Sequence, residues 1–455
     1  MLTLDYKKIF NDGTSAERLA NIFLNDYYGE TGITFPVNPF QMLTDLGIPF
    51  VFRPFKNYEG VYILGSEDDD VPIIGINLNR PIVRQRFTAA HELCHHLKDV
   101  DSGFTCTSNP QSEIELYADA FASELLMPMK EFRKQVNFHL NNGYLDFDGV
   151  LEVTNYFGVS FQACLYKVAY KLHLIEGDTS PKILRSKTSK YKPQTKRKEK
   201  SLFYTNLYEQ LFNAIGENFQ VVPTANTCQK FKTEYVFYDS RMEGVDVDGE
   251  TVGDIVTDLR FRKQNSPFCK EENKNIVEVA GLTLAYDYAF DKANTDISVY
   301  DAKHINEKLF STAHYPEFGW KYRESNTLVL GAKFDTVDFN KIQEEMFNLD
   351  KDIASLMDNY NNMSYSDYVE SIVRIHHRLT VIHAFRDGNG RTSRAFCNMM
   401  LLKRHISPVF FKNKSKDEYK DALAIADLTG EYNALYEVFF KSILESSAAL
   451  SDFLN

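Results

Sequence analysis

The sequence has few cysteines and no long apolar run, and both shortages narrow the class of protein. Its six cysteines are scattered over 455 residues without a Cys-x-x-Cys pair, which excludes a disulfide framework and favours reduced thiols. No apolar run approaches the ~20 residues that a membrane span requires. The first residues also lack the basic start and apolar stretch of a signal peptide. We therefore expect a cytoplasmic protein that does not enter a membrane.

Positive charge is also in short supply. The formal net charge of -12 argues against nonspecific nucleic-acid binding by the body of the protein. Residues 182–201 break this trend, because they are basic and polar and show no apolar periodicity. We predict that they form a domain linker. A nucleic-acid-binding patch is the alternative, but Tyr191 is the only aromatic residue there.

One segment, His383–Arg394, concentrates the residue types that bind phosphate. Gly388 and Gly390 free the backbone to turn its N–H groups toward an anion, and a helix that begins at Arg391 would point its positive end the same way. Arg391 and Arg394, three residues apart, would share one helix face and offer two planar forks. The segment therefore predicts a nucleotide-phosphate site.

Two more side chains of this segment suit a bound nucleotide. Asp387 offers a carboxylate of the kind that a magnesium ion takes together with phosphate oxygens. With Asp387 assigned to the metal and the arginines to phosphate, we expect His383 to transfer a proton. The alternative is an ordinary turn followed by a solvated helix face.

The same segment resembles the core motif of Fic-domain proteins: His, any residue, Phe, any residue, Asp or Glu, Gly, Asn, Gly, Arg, any two residues, Arg. Every fixed position is met, and Ala384 stands where the family commonly has Pro. The resemblance implies that His383 is the general base that deprotonates a target hydroxyl. That hydroxyl then attacks the α-phosphate of ATP and expels pyrophosphate.

The resemblance also implies roles for the rest of the motif. Asp387 would hold Mg²⁺, and Phe385 would anchor the loop in the core. Gly390 stands where a phosphoryl-transferring relative has Lys, which favours transfer of AMP. The nucleotide-binding set would be Phe385, Gly388, Asn389, Gly390, Arg391 and Arg394.

Upstream segments extend the resemblance. Residues 319–323 are similar to the family's Gly-x-Tyr-Arg segment, with one extra residue. A β-hairpin flap would follow and bind the target peptide by strand addition, which depends on the backbone and tolerates many sequences. An ordinary hairpin strand is the alternative. The flap residues would be Thr327, Leu328, Val329 and Leu330.

Residues 239–244 resemble the family's inhibitory segment, Ser-Ser-x-Ile-Glu-Gly. Asp239 replaces the first Ser, and Met242 replaces Ile. The resemblance implies that Glu243 pairs with Arg394, so that the ATP triphosphate has to compete with that carboxylate. An exposed acidic turn is the alternative. In some relatives the same Glu positions a water that removes AMP, which leaves a reverse activity open.

A second candidate site lies near the N-terminus. His91 and His95 have the His-Glu-x-x-His spacing that places both imidazoles on one face of a helix, within reach of one metal. Glu92 would then take a proton from a zinc-bound water. We expect the third ligand from residues 113–128. A surface helix with two histidines is the alternative.

Residues 86–92 and 115–128 together resemble the ImmA/IrrE family of metallopeptidases. The resemblance implies that Glu115 is the third zinc ligand, with Glu113 as the weaker candidate. Asp119 stands where the family usually has Asn, and Cys94 where it usually has Gly. The Asp119 change puts only a contact behind the ligands in doubt.

Periodicity predicts an α+β first part and a nearly all-α second part with a β-hairpin flap. With the resemblances, we expect a zincin-like metallopeptidase domain over residues 1–181, a linker over 182–201 and a Fic domain over 202–455. At 455 residues with 44% hydrophobic side chains, the chain can bury such cores.

The resulting hypothesis is a protein adenylyltransferase that uses ATP and Mg²⁺, is held in check by Glu243, and is coupled to a Zn²⁺-dependent peptidase. A repressor or an antitoxin-like protein would be the substrate for proteolysis. Two alternatives stay open. The Fic domain would be a switch for the peptidase, or the metal domain would be a sensor without proteolysis. The AMP acceptor and homo-oligomerisation stay open as well.

Overall fold

The computed structural model describes residues 3–63, 71–98, 104–107, 112–216, 225–328 and 335–451. Its internal contacts divide the chain into two compact units, Met1–Ile215 and Gly216–Asn455. The first unit combines helices with a small sheet, and the described part of the second is built of helices. This confirms the predicted order of an α+β region followed by a mainly all-α region.

A four-stranded sheet lies in the first unit, in the order β1-β3-β2-β4. Strand β1 runs parallel to β3, whereas β2 is antiparallel to both β3 and β4. Isoleucine, valine and aromatic residues dominate β1 to β3, as expected for side chains that pack well on a pleated surface. The strands are β1 (Phe50–Arg53), β2 (Tyr58–Ile63), β3 (Ile73–Asn77) and β4 (Phe104–Thr107).

Eleven α-helices complete the described part of this unit. Several begin with a Ser, Asn or Asp whose side chain accepts a first-turn N–H, which satisfies donors that have no partner within the helix. The helices are α1 (Tyr6–Asn11), α2 (Ala16–Tyr28), α3 (Pro39–Asp45), α4 (Ile82–Lys98), α5 (Glu113–Leu126), α6 (Met129–Phe138), α7 (Phe147–Phe157), α8 (Phe161–Lys167), α9 (Pro181–Tyr191), α10 (Pro193–Glu199) and α11 (Thr205–Ile215).

Helix α4 is the centre of this unit and is buried along most of its length. It packs against β2 and β3 on one side and against α5 on another. Ala89 and Ala90 are fully buried and small, which allows neighbouring backbones to approach closely. The hydrophobic side chains Leu93 and Leu97 complete its contacts.

Residues 182–201, the predicted linker, are mostly helical, since α9 and α10 occupy most of them. Tyr191 stacks on Phe161 with ring centroids 5.5 Å apart. Arg197 is buried and donates to the Asn155 side chain at 3.0 Å. Single contacts of Tyr191 and Arg197 with Phe161 and Asn155 hold the segment in place. Contacts of this kind do not require a periodic apolar pattern within the segment itself. The contact division after Ile215 also falls beyond residue 202, and the predicted domain bounds remain a proposal.

Nine α-helices form the described part of the second unit. They are α12 (Ala225–Met242), α13 (Gly249–Arg262), α14 (Lys274–Lys292), α15 (Val299–Phe310), α16 (Ile342–Asn359), α17 (Tyr365–Ile382), α18 (Asn389–Lys403), α19 (Asn413–Thr429) and α20 (Asn433–Ser451). Among the described residues of the whole chain, no helix combines the length and the hydropathy that a bilayer crossing demands.

Helix α18 lies at the centre of the second unit, packed against α14, α15 and α17. Nearly all of its side chains are buried, including polar ones. It begins at Asn389, two residues before the predicted start at Arg391, because Gly388 adopts a left-handed φ of 73° and caps the helix. The phosphate-type motif therefore lies where α17 ends and the most buried helix begins.

Candidate functional sites

Helices α4 and α5 bring three metal-ligand side chains together. The Nε2 atoms of His91 and His95 lie 3.1 Å apart. Glu115 approaches both, with its oxygens 3.3 Å from His91 Nε2 and 3.4 Å from His95 Nε2. One ligand atom from each side chain lies within 4.8 Å of the others. Two imidazole nitrogens and a carboxylate fit a catalytic zinc ion, which keeps a fourth position for water.

Asp119 orients the first of these ligands. It lies one turn after Glu115 on α5, and His91 Nδ1 is 2.9 Å from its carboxylate. A proton held on Nδ1 leaves Nε2 to face the metal. Burial lowers the pKa of His91, but the hydrogen bonds to Asp119 and Glu115 outweigh burial and raise it to about 9. The family usually has Asn at this position, which had put the contact in doubt. Asp119 nevertheless contacts His91.

Glu92, the predicted proton acceptor, is fully buried between α4 and the sheet. A Cβ atom at Gly60 on β2 would overlap both its carboxylate and the Thr88 methyl group. The negative charge of Glu92 also contributes to the raised pKa of His91. Gly60 is thus a site residue that sequence reasoning missed, although a glycine inside a strand is a signal of close approach.

His383 ends α17 in a left-handed conformation with φ of 49°, and the following loop is closed by Asn389. The side-chain Oδ1 of Asn389 accepts from the main-chain N–H of Phe385 at 2.9 Å. Its side-chain Nδ2 donates to the main-chain carbonyl of Phe385 at 2.8 Å. At Gly388, a Cβ would overlap the Leu309 side chain. The Asn389 side chain thus shapes the loop, and its predicted contact with phosphate remains a prediction.

Two residues outside the motif hold the loop from either end. Asn306 on α15 is fully buried and donates both to the Asp387 carbonyl at 3.2 Å and to the Thr392 hydroxyl at 3.1 Å. Arg323 donates from Nε to the His383 carbonyl at 2.8 Å. Asn306 carries no local sequence signal, because its role depends only on where α15 packs.

The protonation of His383 suits a base. Burial lowers its pKa below the ordinary value, and the positive charge of Arg323 acts in the same direction. A lowered histidine pKa means that the imidazole is neutral near pH 7 and has a lone pair to accept a proton. Asp387, by contrast, is half exposed beside the loop, and accepts from the Gly388 N–H at 2.6 Å.

Both arginines of the motif form ion pairs with carboxylates. Arg391 Nη1 lies 3.0 Å from Glu278 on α14, and Arg394 Nη2 lies 2.5 Å from Glu243. Arg394 also donates from Nε to Asp239 on α12. Both arginines are 7% exposed, so their charges are largely removed from water. A buried guanidinium needs such partners. Arg391 and Arg394 are therefore already paired with carboxylates in this structure.

The pair of Glu243 and Arg394 leaves no room for a side chain at position 390. A Cβ at Gly390 would lie 2.7 Å from the Glu243 carboxylate and 2.9 Å from Arg394 Nη1. Burial would raise the pKa of Glu243, but the charge and hydrogen bond of Arg394 outweigh it and lower the pKa. Glu243 is therefore ionised when it sits beside Arg394.

Two family models match the chain, one in each unit. The model for the Fic/DOC family matches residues 296–401, and the model for the IrrE N-terminal-like domain matches residues 43–169. Residues 296–401 form a Fic/DOC family domain. Residues 43–169 form an IrrE N-terminal-like domain. The zinc-type ligands lie within the IrrE-like domain, and the His383 loop lies within the Fic domain.

Similar proteins are named protein adenylyltransferases. The fic-1 enzyme of Caenorhabditis elegans is 26% identical over 159 residues, which are 35% of this chain and 30% of that protein. The Fic enzyme of Drosophila willistoni is 33% identical over 82 residues, 17% of this chain and 16% of that protein. The chain thus spans less than a third of these relatives. A solved C. elegans Fic-1 structure aligns with 81% of this chain and 98% of its own, at 16% identity and a TM-score of 0.44.

The start and end of the predicted flap of the Fic domain lie close together. The Asn326 amide donates to Asp338 at 3.0 Å, and the Thr336 hydroxyl donates to the Thr327 carbonyl at 2.7 Å. Leu328 is 84% exposed. The remaining predicted flap residues, Val329 and Leu330, lie outside the described residues, so the hairpin and its docking role stay predictions.

We predict that zinc binding by the IrrE-like domain strengthens as pH rises toward 9. Asp119 and Glu115 keep the proton on His91 up to its pKa of about 9, and a ligating nitrogen must lose that proton. The protonated form stabilises the metal-free fold fully below the ordinary pKa of 6.5, and this contribution disappears as pH rises through about 9. Chelator competition at several pH values should show up to about tenfold tighter binding per pH unit.

The matched control for this titration is Asp119→Asn. It removes the strongest contact that raises the pKa of His91, so zinc affinity should depend less on pH in this range. An affinity that does not change with pH in the unmodified protein would contradict the prediction.

Proposed function

We propose that the chain is a protein adenylyltransferase that moves AMP from ATP to a hydroxyl side chain of a target protein. The observation that carries the proposal is a neutral, half-buried His383 held beside a loop that leads into the buried arginines of α18. The Fic domain and its named adenylyltransferase relatives support the same reaction. The identity of the target is open.

In the proposed reaction His383 takes the proton of the target hydroxyl. The hydroxyl oxygen then forms a bond to the α-phosphorus of ATP, and the bond between that phosphorus and the bridging oxygen to the β-phosphate breaks. Pyrophosphate leaves with the bonding electrons, and the proton stays on His383. The lowered pKa of His383 favours the neutral form that starts this sequence.

The start of α18 supplies the phosphate site. Unpaired N–H groups and the positive end of a helix favour an anion there, and Arg391 and Arg394 lie on its first turns. Asp387, half exposed beside the loop, would hold Mg²⁺. Such an ion would offset part of the negative charge of the phosphates.

We infer that Glu243 holds this site in a resting state. Its carboxylate lies against Arg394 and beside Gly390, where a triphosphate would need the same guanidinium. The Glu243 side chain is 34% exposed, so it can leave without opening the core. ATP would therefore bind productively only after it displaces this carboxylate.

We predict that His383→Ala reduces AMP transfer by about 10²- to 10⁴-fold, since it removes the general base. ATP binding should stay nearly unchanged, because the phosphate contacts come from α18 and its loop. Transfer of labelled AMP and calorimetric titration with ATP measure the two effects. Full transfer by this variant would refute the role of His383.

We predict that Glu243→Gly increases AMP transfer and self-modification, because Arg394 loses its exchangeable partner. Incubation of both proteins with labelled ATP, followed by electrophoresis, compares the incorporated AMP. Glu243→Gln serves as the matched control, since it keeps the size but loses the charge, and it should give an intermediate signal. An unchanged or lower signal for Glu243→Gly would exclude the inhibitory role.

We further propose that the IrrE-like domain is a zinc-dependent peptidase, coupled to the Fic domain, that acts on a repressor or an antitoxin-like protein. His91, His95 and Glu115 would hold the ion, which lowers the pKa of a bound water toward ~7. Glu92 lies buried beside these ligands and would take the proton. The alternatives are a metal-sensing domain without proteolysis and a peptidase for which the Fic domain is the switch.

We predict that Glu92→Gln keeps zinc but loses proteolysis, whereas His95→Ala loses the metal as well. Elemental analysis of the purified variants measures zinc, and cleavage of a co-encoded repressor measures proteolysis. A zinc-loaded parent protein that cleaves nothing would favour the sensor alternative. Undiminished cleavage by Glu92→Gln would rule out its role as base.

A further inference from the structure

Arg394 is held by two carboxylates that differ in their surroundings. Asp239 belongs to α12 and is 4% exposed, whereas Glu243 follows the last residue of that helix and its side chain is 34% exposed. Asp239 accepts from Arg394 Nε, and Glu243 accepts from Nη2. The inhibitory segment that this chain resembles has Ser in place of Asp239, so the second negative charge is a feature of this chain.

Asp239 is fixed from two sides. One of its oxygens accepts from Arg394, and the other accepts from the hydroxyl of Tyr286 on α14 at 3.1 Å. Lys232, on the same helix, is paired with Asp287 on α14 and is also buried. Displacing Asp239 would therefore break its contacts with both Arg394 and Tyr286 inside the core, whereas Glu243 has a half-exposed side chain next to Gly244, whose φ is 79°.

We propose that Asp239 is a specificity-determining residue for the nucleotide, a permanent carboxylate partner of Arg394 that weakens the preference of the released site for ATP over ADP. The proposal rests on the proposed adenylyltransferase function. Glu243 is the exchangeable partner of the same guanidinium.

The charge of Asp239 acts at a buried group. When Glu243 leaves, Arg394 still faces the negative charge of Asp239, so an incoming γ-phosphate meets a pair that is neutral overall. Water screens little at 7% exposure, and the remaining carboxylate therefore repels the phosphate effectively. Burial raises the pKa of Asp239, the charge of Arg394 lowers it, and the charge of Glu243 raises it again, so departure of Glu243 removes one of the influences that favour the protonated form of Asp239.

ADP provides the comparison that isolates this effect. We place the α- and β-phosphates, which ADP shares with ATP, at the start of α18. We place the γ-phosphate, which ADP lacks, at Arg394, because Glu243 and the triphosphate would compete for that guanidinium. A change at Asp239 should therefore alter ATP affinity much more than ADP affinity. A change in charge elsewhere in the site should alter both.

The experiment measures the dissociation constants of MgATP and MgADP by calorimetry. The parent is the full chain with Glu243→Gly, which releases the site, and His383→Ala, which prevents turnover. Adding Asp239→Asn keeps the size of the side chain and an oxygen acceptor for Arg394 Nε while removing the charge. We expect ATP affinity relative to ADP to rise about tenfold, on the order expected for one nearby charge. A ratio that is unchanged or lower overturns the proposal.

The matched control is Glu278→Gln in the same parent. It removes one negative charge from Arg391 and should strengthen both nucleotides alike, so the ratio should stay constant. An equal rise in the ratio would mean a general charge effect and would overturn the proposal. Asp239→Ser, the residue of the related segments, must change the ratio in the same direction as Asp239→Asn, which guards against misfolding of one variant.

The proposed function is tested separately by AMP transfer with the single variant Glu243→Gly. If that variant transfers AMP and the nucleotide ratio does not respond to Asp239→Asn, only the inference fails. If that variant transfers no AMP, the proposed function fails whatever the ratio shows. A parent that binds neither nucleotide overturns both.

Discussion

A buried charge must be paired, and both candidate sites depend on this constraint. Helix α18 is enclosed by α14, α15 and α17, so Arg391 and Arg394 have little contact with water. Carboxylates from α12, α14 and the residue after α12 neutralise them. The same constraint operates on α4, where Glu115 and Asp119 surround His91 and hold its pKa high. These ion pairs join α18 to α12 and α14, and α4 to α5. The contacts that form each site therefore also hold its helices together.

This constraint makes the resting state of each site a competition. Under the proposed function, a metal at His91 would have to replace a proton that the carboxylates stabilise, and a phosphate at Arg394 would have to replace the Glu243 carboxylate. In both cases the ligand-binding side chains are held in place before the ligand arrives. Pre-ordering lowers the entropic cost of binding, whereas the displaced partner lowers the affinity. Under the proposed function, the partner that leaves would set this balance: the proton on His91, or the partly exposed Glu243.

The sequence predicted those parts of the sites that are local in the chain. His91 and His95 meet because a helix turn separates them, and Gly388 is required by a backbone conformation that its neighbours impose. Glu278, Asn306 and Gly60 were missed, since each acts through tertiary packing. The helices of residues 182–201 were not predicted for a related reason: α9 and α10 are anchored by Tyr191 and Arg197 on side chains that are distant in the sequence. Single anchors of this kind produce no periodic pattern.

Arg86 shows why the chemistry of the partner matters more than burial alone. It is fully buried on α4, and the main-chain carbonyls of Val37, Phe157 and Gly158 accept its N–H groups. Burial lowers its pKa to about 9, and the charge of the Tyr28 side chain offsets this only in part. Such an arginine satisfies the carbonyls at the end of α7 and is closed off from solvent. Arg394 is almost as buried, but one of its partners is the Glu243 carboxylate, whose side chain is 34% exposed. This difference separates a guanidinium that only backbone carbonyls hold from one that, under the proposed function, would exchange a carboxylate for a phosphate.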